Sequence, residues 1–290
     1  MPRSYEVIHE TEYRYEWPAD SAWQLAHLRP RVTDLQSVSK HHLEIEPLPS
    51  EMDAGTDYFG NPVQRFAVPA AHDRLQVRSV AEVTVGPKPV PVVAKPWEKV
   101  LQSVLEGDAA LRYELVQYCL ASPFVPLLDD TLALARHDFV AGRDLLVALQ
   151  AFARRIRDQF QFDPDATHIG TPLTEVLQTG RGVCQDFAHL MISAVRGMGL
   201  PARYVSGYLL TEPPPGQPRL VGADASHAWV SVWCDQAGWV DVDPTNGKLA
   251  DQAFITLGWG RDYGDVAPLR GVVWGGGKQQ LNVRVTVTPR

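Results

Sequence analysis

Between Tyr5 and Trp17 the chain alternates strictly. Tyr5, Val7, His9, Thr11, Tyr13, Tyr15 and Trp17 are separated mostly by charged residues. That period of two is the mark of a half-buried strand and does not fit an amphipathic helix. Leu75, Val77, Ser79, Ala81, Val83 and Val85 repeat it. Between the two runs, DYFGNPVQRFAV places Gly60-Asn61 among apolar residues, a hairpin signal. Residues 1–95 are therefore expected to form an N-terminal antiparallel β domain, with a sandwich as the natural arrangement.

The pattern stops at residues 86–97, which contain Pro87, Pro89, Pro91 and Pro96. Proline lacks the ladder donor and fixes φ, so this stretch cannot be a central strand and is the expected linker. Helical patterning follows. Residues 96–142 are expected to form a helical connector. In the next helix, near 143–159, Leu145, Leu146, Leu149, Phe152, Ala153 and Ile156 follow the 3.6 period. Thr171-Pro172 is expected to open a short helix. After residue 183 comes a strong helix, then β segments near 203–210, 227–234 and 239–243. The PPPGQP run at 213–218 is expected to be a loop, and QLNVRVTVTP a last strand. The expected fold class is α+β, with residues 143–290 as the core carrying that C-terminal strand.

Composition excludes several function classes. Net charge is −7 and no long Lys/Arg run occurs, so nothing draws the chain to nucleic acid. The first residues have no apolar stretch after Arg3, and no apolar run approaches the ~18 residues of a membrane span, so neither secretion nor a membrane is expected. Three widely spaced cysteines, Cys119, Cys184 and Cys234, form no disulfide framework and no CxxC, which suits a cytoplasmic protein. DPDATH at 163–168 lacks the glycine and spacing of a calcium loop. No metal or other cofactor is expected, and nothing in the sequence specifies an oligomeric state.

Cys184 stands apart from the other cysteines. Gly180-Arg181-Gly182-Val183 precedes it, and Phe187, Leu190, Met191, Ala194, Val195 and Met198 continue from it as one helical apolar stripe. It should sit in the first turn of a helix, facing inward. Free N–H groups and the positive dipole end there favour a thiolate and can donate to an oxyanion. Against this stands the common role of a lone cysteine as a small packing residue. Cys119 and Cys234 lie inside apolar patterns and read that way.

Downstream, His227, Trp229, Ser231 and Trp233 alternate with Ala228, Val230, Val232 and Cys234. Trp239, Asp241 and Asp243 alternate with Val240 and Val242. A short polar loop with Gly238 makes the two runs a hairpin. His227 opens one strand and Asp243 closes the other, so an imidazole and a carboxylate meet at the open end, as a base and its orienting group do. Against this, a lone histidine is more often structural, and Asp243 before Pro244 also suits a turn former. Paired residues share a face. Both positions are odd, so the hairpin needs an odd-length loop or a bulge between 233 and 240, with Gly238 the natural left-handed residue. Pairing of 229 with 243 would centre the turn on Gln236; pairing of 227 with 243 would centre it on Asp235.

GRGVCQDFAHLMISAVRGMGLPARYVSGYL, SHAWVSVW and GWVDVDPTNG resemble the three core motifs of the transglutaminase-like superfamily. HETEYRYEWPA, LRPR, DYFGNPVQRF and the ending GRDYGDVAPLRGVVWGGGKQQLNVRVTV are similar to its bacterial, cysteine-protease-like branch. The resemblance implies a papain-like core with Cys184 as nucleophile, His227 as base and Asp243 as orienting carboxylate. It implies a cysteine-dependent amidase or peptidase working through a thioacyl enzyme on a peptide or isopeptide bond of a peptide or protein substrate. Amine transfer, as in transglutaminases, is the neighbouring chemistry; a non-catalytic peptide-binding module is the alternative of another class. Asp241 shares parity with Asp243 but lies nearer the turn. His189 falls opposite the apolar stripe, away from Cys184. Gln178, six residues before Cys184, has the offset of a protease oxyanion glutamine but no second signal. Trp229, Trp233 and Trp239 are expected in the core or rim.

Overall fold

The computed structural model describes residues 1–90, 95–211 and 226–290. The expected loop at 213–218 lies outside them, as do residues 91–94 of the proline-rich segment. Five strands come first: β1 (Arg3–Ala26), β2 (Gln36–Glu46), β3 (Glu51–Thr56), β4 (Pro62–Val68) and β5 (His72–Val85). Helices α1 (Trp97–Glu106), α2 (Ala109–Val116), α3 (Asp129–Arg136) and α4 (Leu145–Gln159) follow. Next stand β6 (Gln161–Phe162), α5 (Leu173–Thr179), β7 (Arg181–Gly182) and α6 (Cys184–Gly197). The chain continues through β8 (Ala202–Leu209), β9 (Ser226–Cys234), β10 (Gly238–Asp243), β11 (Lys248–Leu249) and β12 (Phe254–Gly260). After α7 (Tyr263–Val266) it closes with β13 (Leu269–Gly275) and β14 (Gln279–Pro289).

The long β1 organises the first sheet. Its first half, Tyr5–Tyr15, lies between β5 and β14; its second half, Ala22–Ala26, lies between β4 and β13. The pairing register shifts between Arg14 and Ala19, where one half gives way to the other. Tyr15, Ala22, Ala26, Leu43, Phe66, Val68, Leu75 and Val77 form one buried cluster, so the two halves face each other. The expected sandwich is thus made from a single sheet that turns back on itself along β1. The charged residues between the buried ones lie outside, paired as Arg74–Glu12 and Arg78–Glu44. Such exposed pairs contribute little to stability.

Two expectations differ from the structure. The C-terminal strand does not belong to the core: β14 pairs with β1 from Tyr5↔Pro289 to Tyr15↔Gln279, and β13 pairs with its second half. Sequence distance hides this pairing, because the alternation of QLNVRVTV fits any sheet. Residues 96–142 are also more than a connector. Val100, Val125, Ala135 and Phe139 share one buried cluster with Phe152, Phe187, Leu190, Val230 and Val242.

The second sheet has the order β11-β10-β9-β8-β12, with antiparallel neighbours. Its Ala228, Val230, Val232, Val240 and Val242 pack in the cluster that holds α4 and α6. Tyr208, Ile255 and Leu257 of the second sheet meet Tyr5, Val7, Val83, Val285 and Val287 of the first. The N-terminal β region therefore lies directly against the core. Among the described residues no helix is long and apolar enough to cross a membrane.

Candidate active site

Cys184 is the first residue of α6, as its stripe predicts. Two features fix the turn that presents it. Arg181–Gly182 pairs in parallel with Gln161–Phe162, tying the approach to the end of α4. Asp186 then reaches back: its Oδ2 accepts from the Val183 amide at 2.8 Å and from Thr167 Oγ1 at 2.7 Å. A Cβ on Gly182 would lie 2.8 Å from that same oxygen, so only glycine passes under the carboxylate. The buried Asp186 supplies half of a capping box and leaves Cys184 among the free N–H groups of the first turn.

The hairpin follows the parity argument. The register runs Gly238↔Cys234 through Val242↔Val230, which leaves Asp235, Gln236 and Ala237 as an odd loop centred on Gln236. Gly238 takes φ +68° there. Continued by one step, the register sets Asp243 opposite Trp229, diagonal to His227. Asp243 Oδ2 lies 2.8 Å from His227 Nε2. Asp243 is fully buried and collects three more donors: the amides of Thr245 (2.8 Å) and Asn246 (3.2 Å) and Asn246 Nδ2 (2.6 Å). Burial pushes its carboxyl up, but His227 and Asn246 outweigh that and hold it below the usual carboxylate range. An ionised carboxylate only accepts, so Nε2 carries the hydrogen.

Nδ1 is then the ring nitrogen left for the Cys184 thiol, which is near enough to act on the ring. Burial opposes charge on the ring, yet Asp243 and Cys184 together raise His227 to about 10. Trp229, itself fully buried, stacks on the imidazole at 6.2 Å, and Phe254 tilts against it at 5.9 Å. Thiol, imidazole and carboxylate thus form one chain of interacting groups, hydrogen-bonded between imidazole and carboxylate. Such an array can exchange a proton between sulfur and ring while the carboxylate holds the imidazolium.

The chain opens into a cleft of about 330 Å³. Val183, Gln185, Tyr204, Ser206 and Tyr263 line its core side. The opposite wall comes from the first sheet: His9, Thr11 and Tyr13 of β1 with Leu281 and Val283 of β14. Sequence reasoning missed this wall. The alternation of β1 pointed to its odd face as buried, but not to what it covers.

Residues weighed from the sequence fall elsewhere. Asp241 pairs with Lys88 at 3.5 Å rather than with His227. Gln178 is exposed and does not line the cleft. Cys234 is buried, Cys119 partly so; burial pushes the Cys119 thiol up to about 11 and also raises Cys234. His189, which the sequence left free to contact another element, does so: it is buried, because α6 is covered on all sides from Asp186 to Arg196. It accepts from the Tyr263 amide at 3.2 Å and stacks on Phe124, and burial lowers it to about 3. It is a neutral packing imidazole. Among the described residues no group of three or more His, Cys, Asp or Glu could hold a metal ion.

Comparison with known proteins gives the family and the fold. Residues 139–244 match the transglutaminase-like superfamily, and residues 5–84 match the bacterial transglutaminase-like N-terminal region. An uncharacterised protein of Mycobacterium tuberculosis is 39% identical over 98% of this chain and 92% of its own length. A protein-glutamine gamma-glutamyltransferase of Pseudomonas aeruginosa is 35% identical over 104 residues, 33% of this chain and 16% of that protein. Among solved structures, a Cytophaga hutchinsonii protein provisionally described as a cysteine protease superposes with a TM-score of 0.79 at 18% identity, covering 100% of this chain and 91% of that one.

Proposed function

Because the chain belongs to the transglutaminase-like superfamily, we propose that it is a cysteine-dependent amidase or peptidase that cleaves a peptide or isopeptide bond. The observation that carries this reading is the His227–Asp243 hydrogen bond beside the Cys184 thiol at the mouth of a cleft. The Cys184 thiolate attacks the amide carbonyl carbon while free N–H groups at the start of α6 receive the developing oxyanion. The C–N bond breaks as His227 gives its proton to the leaving amine, and the acyl group stays on sulfur as a thioester. Water then attacks, His227 takes its proton, and the C–S bond breaks to release the acid and restore the thiolate beside the protonated ring. Asp243 holds the ring in register and balances its charge throughout.

A second reading is favoured by the Pseudomonas aeruginosa relative: an amine in place of water would give a transferred amide. One assay separates the two. Peptide-amide libraries are incubated with and without a fluorescent primary amine. Released acid supports hydrolysis, and amine incorporation supports transfer. Cys184→Ala should lower either by ~10³ or more, since nucleophile and base act as a unit. Its fold should survive at a cost of about 1–2 kcal/mol. Full activity in Cys184→Ala would overturn both readings.

A further inference from the structure

We propose a second binding site in this protein, for a carboxylate group, formed by Arg203 on the face of the second sheet that turns away from the cleft. Tyr204 and Ser206 of β8 line the cleft, whereas Arg203 and Val205 line a separate cavity of about 820 Å³. Alternate residues of a strand point to opposite faces, so the two spaces are separated by the sheet.

Arg203 is 8% exposed and sits between two indoles, 4.2 Å from the Trp239 ring centroid and 3.8 Å from that of Trp259. Trp259 also carries Arg31 at 3.6 Å. The two guanidiniums are treated differently. Arg31 donates to the Phe59 carbonyl at 2.9 Å and to Asn61 Oδ1 at 2.7 Å. Arg203 has no hydrogen bond or ion pair among the described residues, and its Nε is buried without an acceptor. Ser231, directly opposite it in the β8–β9 register, also has a buried hydroxyl without a partner. Two polar groups side by side and unsatisfied are costly, since buried charges are ordinarily paired.

The nearby carboxylates do not hydrogen-bond it. Asp241 favours its charge from a distance but pairs with Lys88 at 3.5 Å, Asp251 pairs with Lys248 at 3.0 Å, and Asp34 lies exposed at the rim. Burial pushes Arg203 down to about 10, so it remains charged at neutral pH. With both faces of the guanidinium covered by indole, only its edge is open. An edge offers parallel N–H donors to a planar oxyanion, the geometry of bidentate carboxylate binding. Two sources fit that chemistry: a small free acid or the C-terminal carboxylate of a peptide.

Isothermal titration of the full chain carrying Cys184→Ala, in which no amide can be turned over, tests the site. The probes are N-acetylglycine and triglycine, each against its C-terminal amide. Saturable binding of the acids but not the amides is expected, weakened ~10-fold or more by Arg203→Met. Arg203→Lys, which keeps the charge but not the fork, should fall between. Tighter binding of triglycine would identify a peptide end as the source, and tighter binding of N-acetylglycine a free acid. If Arg203→Met does not fold, the acid–amide comparison on the Arg203 protein still decides. No saturable binding, equal binding of acid and amide, or undiminished binding to folded Arg203→Met overturns the proposal. So does binding of inorganic phosphate in place of the carboxylates.

Discussion

Cys184 lies beside a ring whose pKa Asp243 and the thiol itself raise, and it stands at a helix N-terminus, while burial disfavours charge on the other two cysteines. Iodoacetamide at neutral pH should therefore modify Cys184 first, as read by peptide mass mapping. His227→Ala should slow that modification ~10-fold or more, because the neighbouring imidazolium is gone. Equal rates at Cys184 and Cys119 would remove the basis for a reactive thiol. The places of all three site residues were legible in the sequence, a helix start, a strand start and a strand end, while their roles came from the resemblance of the motifs. The supports of Asp243 were legible only as a motif. That Thr245 and Asn246 both donate to its carboxylate is a matter of turn geometry, which periodicity does not carry. Arg203 was not legible at all, since its flanking indoles come from β10 and β12.

At the level of elements, the β9–β10 hairpin decides whether base and carboxylate meet. An odd loop or a bulge followed from parity once His227 and Asp243 were set on one face, because side chains alternate along a regular strand, and the structure has the odd loop. Gly238→Ala places a Cβ on a residue at φ +68° and should cost about 1–2 kcal/mol. Urea denaturation should show a lower midpoint with an unchanged slope. An unaltered midpoint would mean that the loop relaxes freely. Helix α6 was harder to read. Its apolar stripe predicted one buried face, yet α3, α4, α5, β8 and β9 pack around it and bury every residue from Asp186 to Arg196. Polar residues on the remaining faces are accommodated individually. Arg196, for example, donates to the carbonyls of Leu120 and Ala202, at 2.9 and 3.0 Å.

Across the whole molecule, the first sheet is both a support for the core and one wall of the cleft. Leu281 is about half exposed on that wall, so Leu281→Trp should fold normally and narrow the space. A bulky biotinylated alkylating agent should then label Cys184 more slowly, while iodoacetamide labels it as before. Equal slowing of both would point instead to damage at the thiol. The site also couples to overall stability. In a Cys184→Ala background the ring's raised pKa rests on Asp243, above its ordinary value of 6.5. Between those values the folded state holds a proton that the unfolded chain has lost, so stability falls as pH rises. The advantage of this protein over its His227→Gln derivative should be complete below pH 6.5 and shrink as pH climbs towards the folded value, as measured by thermal melting. A constant advantage would show that Asp243 does not hold the proton. The pairing of β14 with β1 also has a consequence in time. At synthesis rates of ~5–20 residues per second, β1 leaves the ribosome on the order of tens of seconds before the strand that closes its edge. Cys184 and His227 emerge in that interval, ahead of Leu281 and Val283. The nascent chain therefore holds its reactive sulfur in a half-walled groove, and the finished cleft exists only after one of the longest-range strand pairings in the fold has formed.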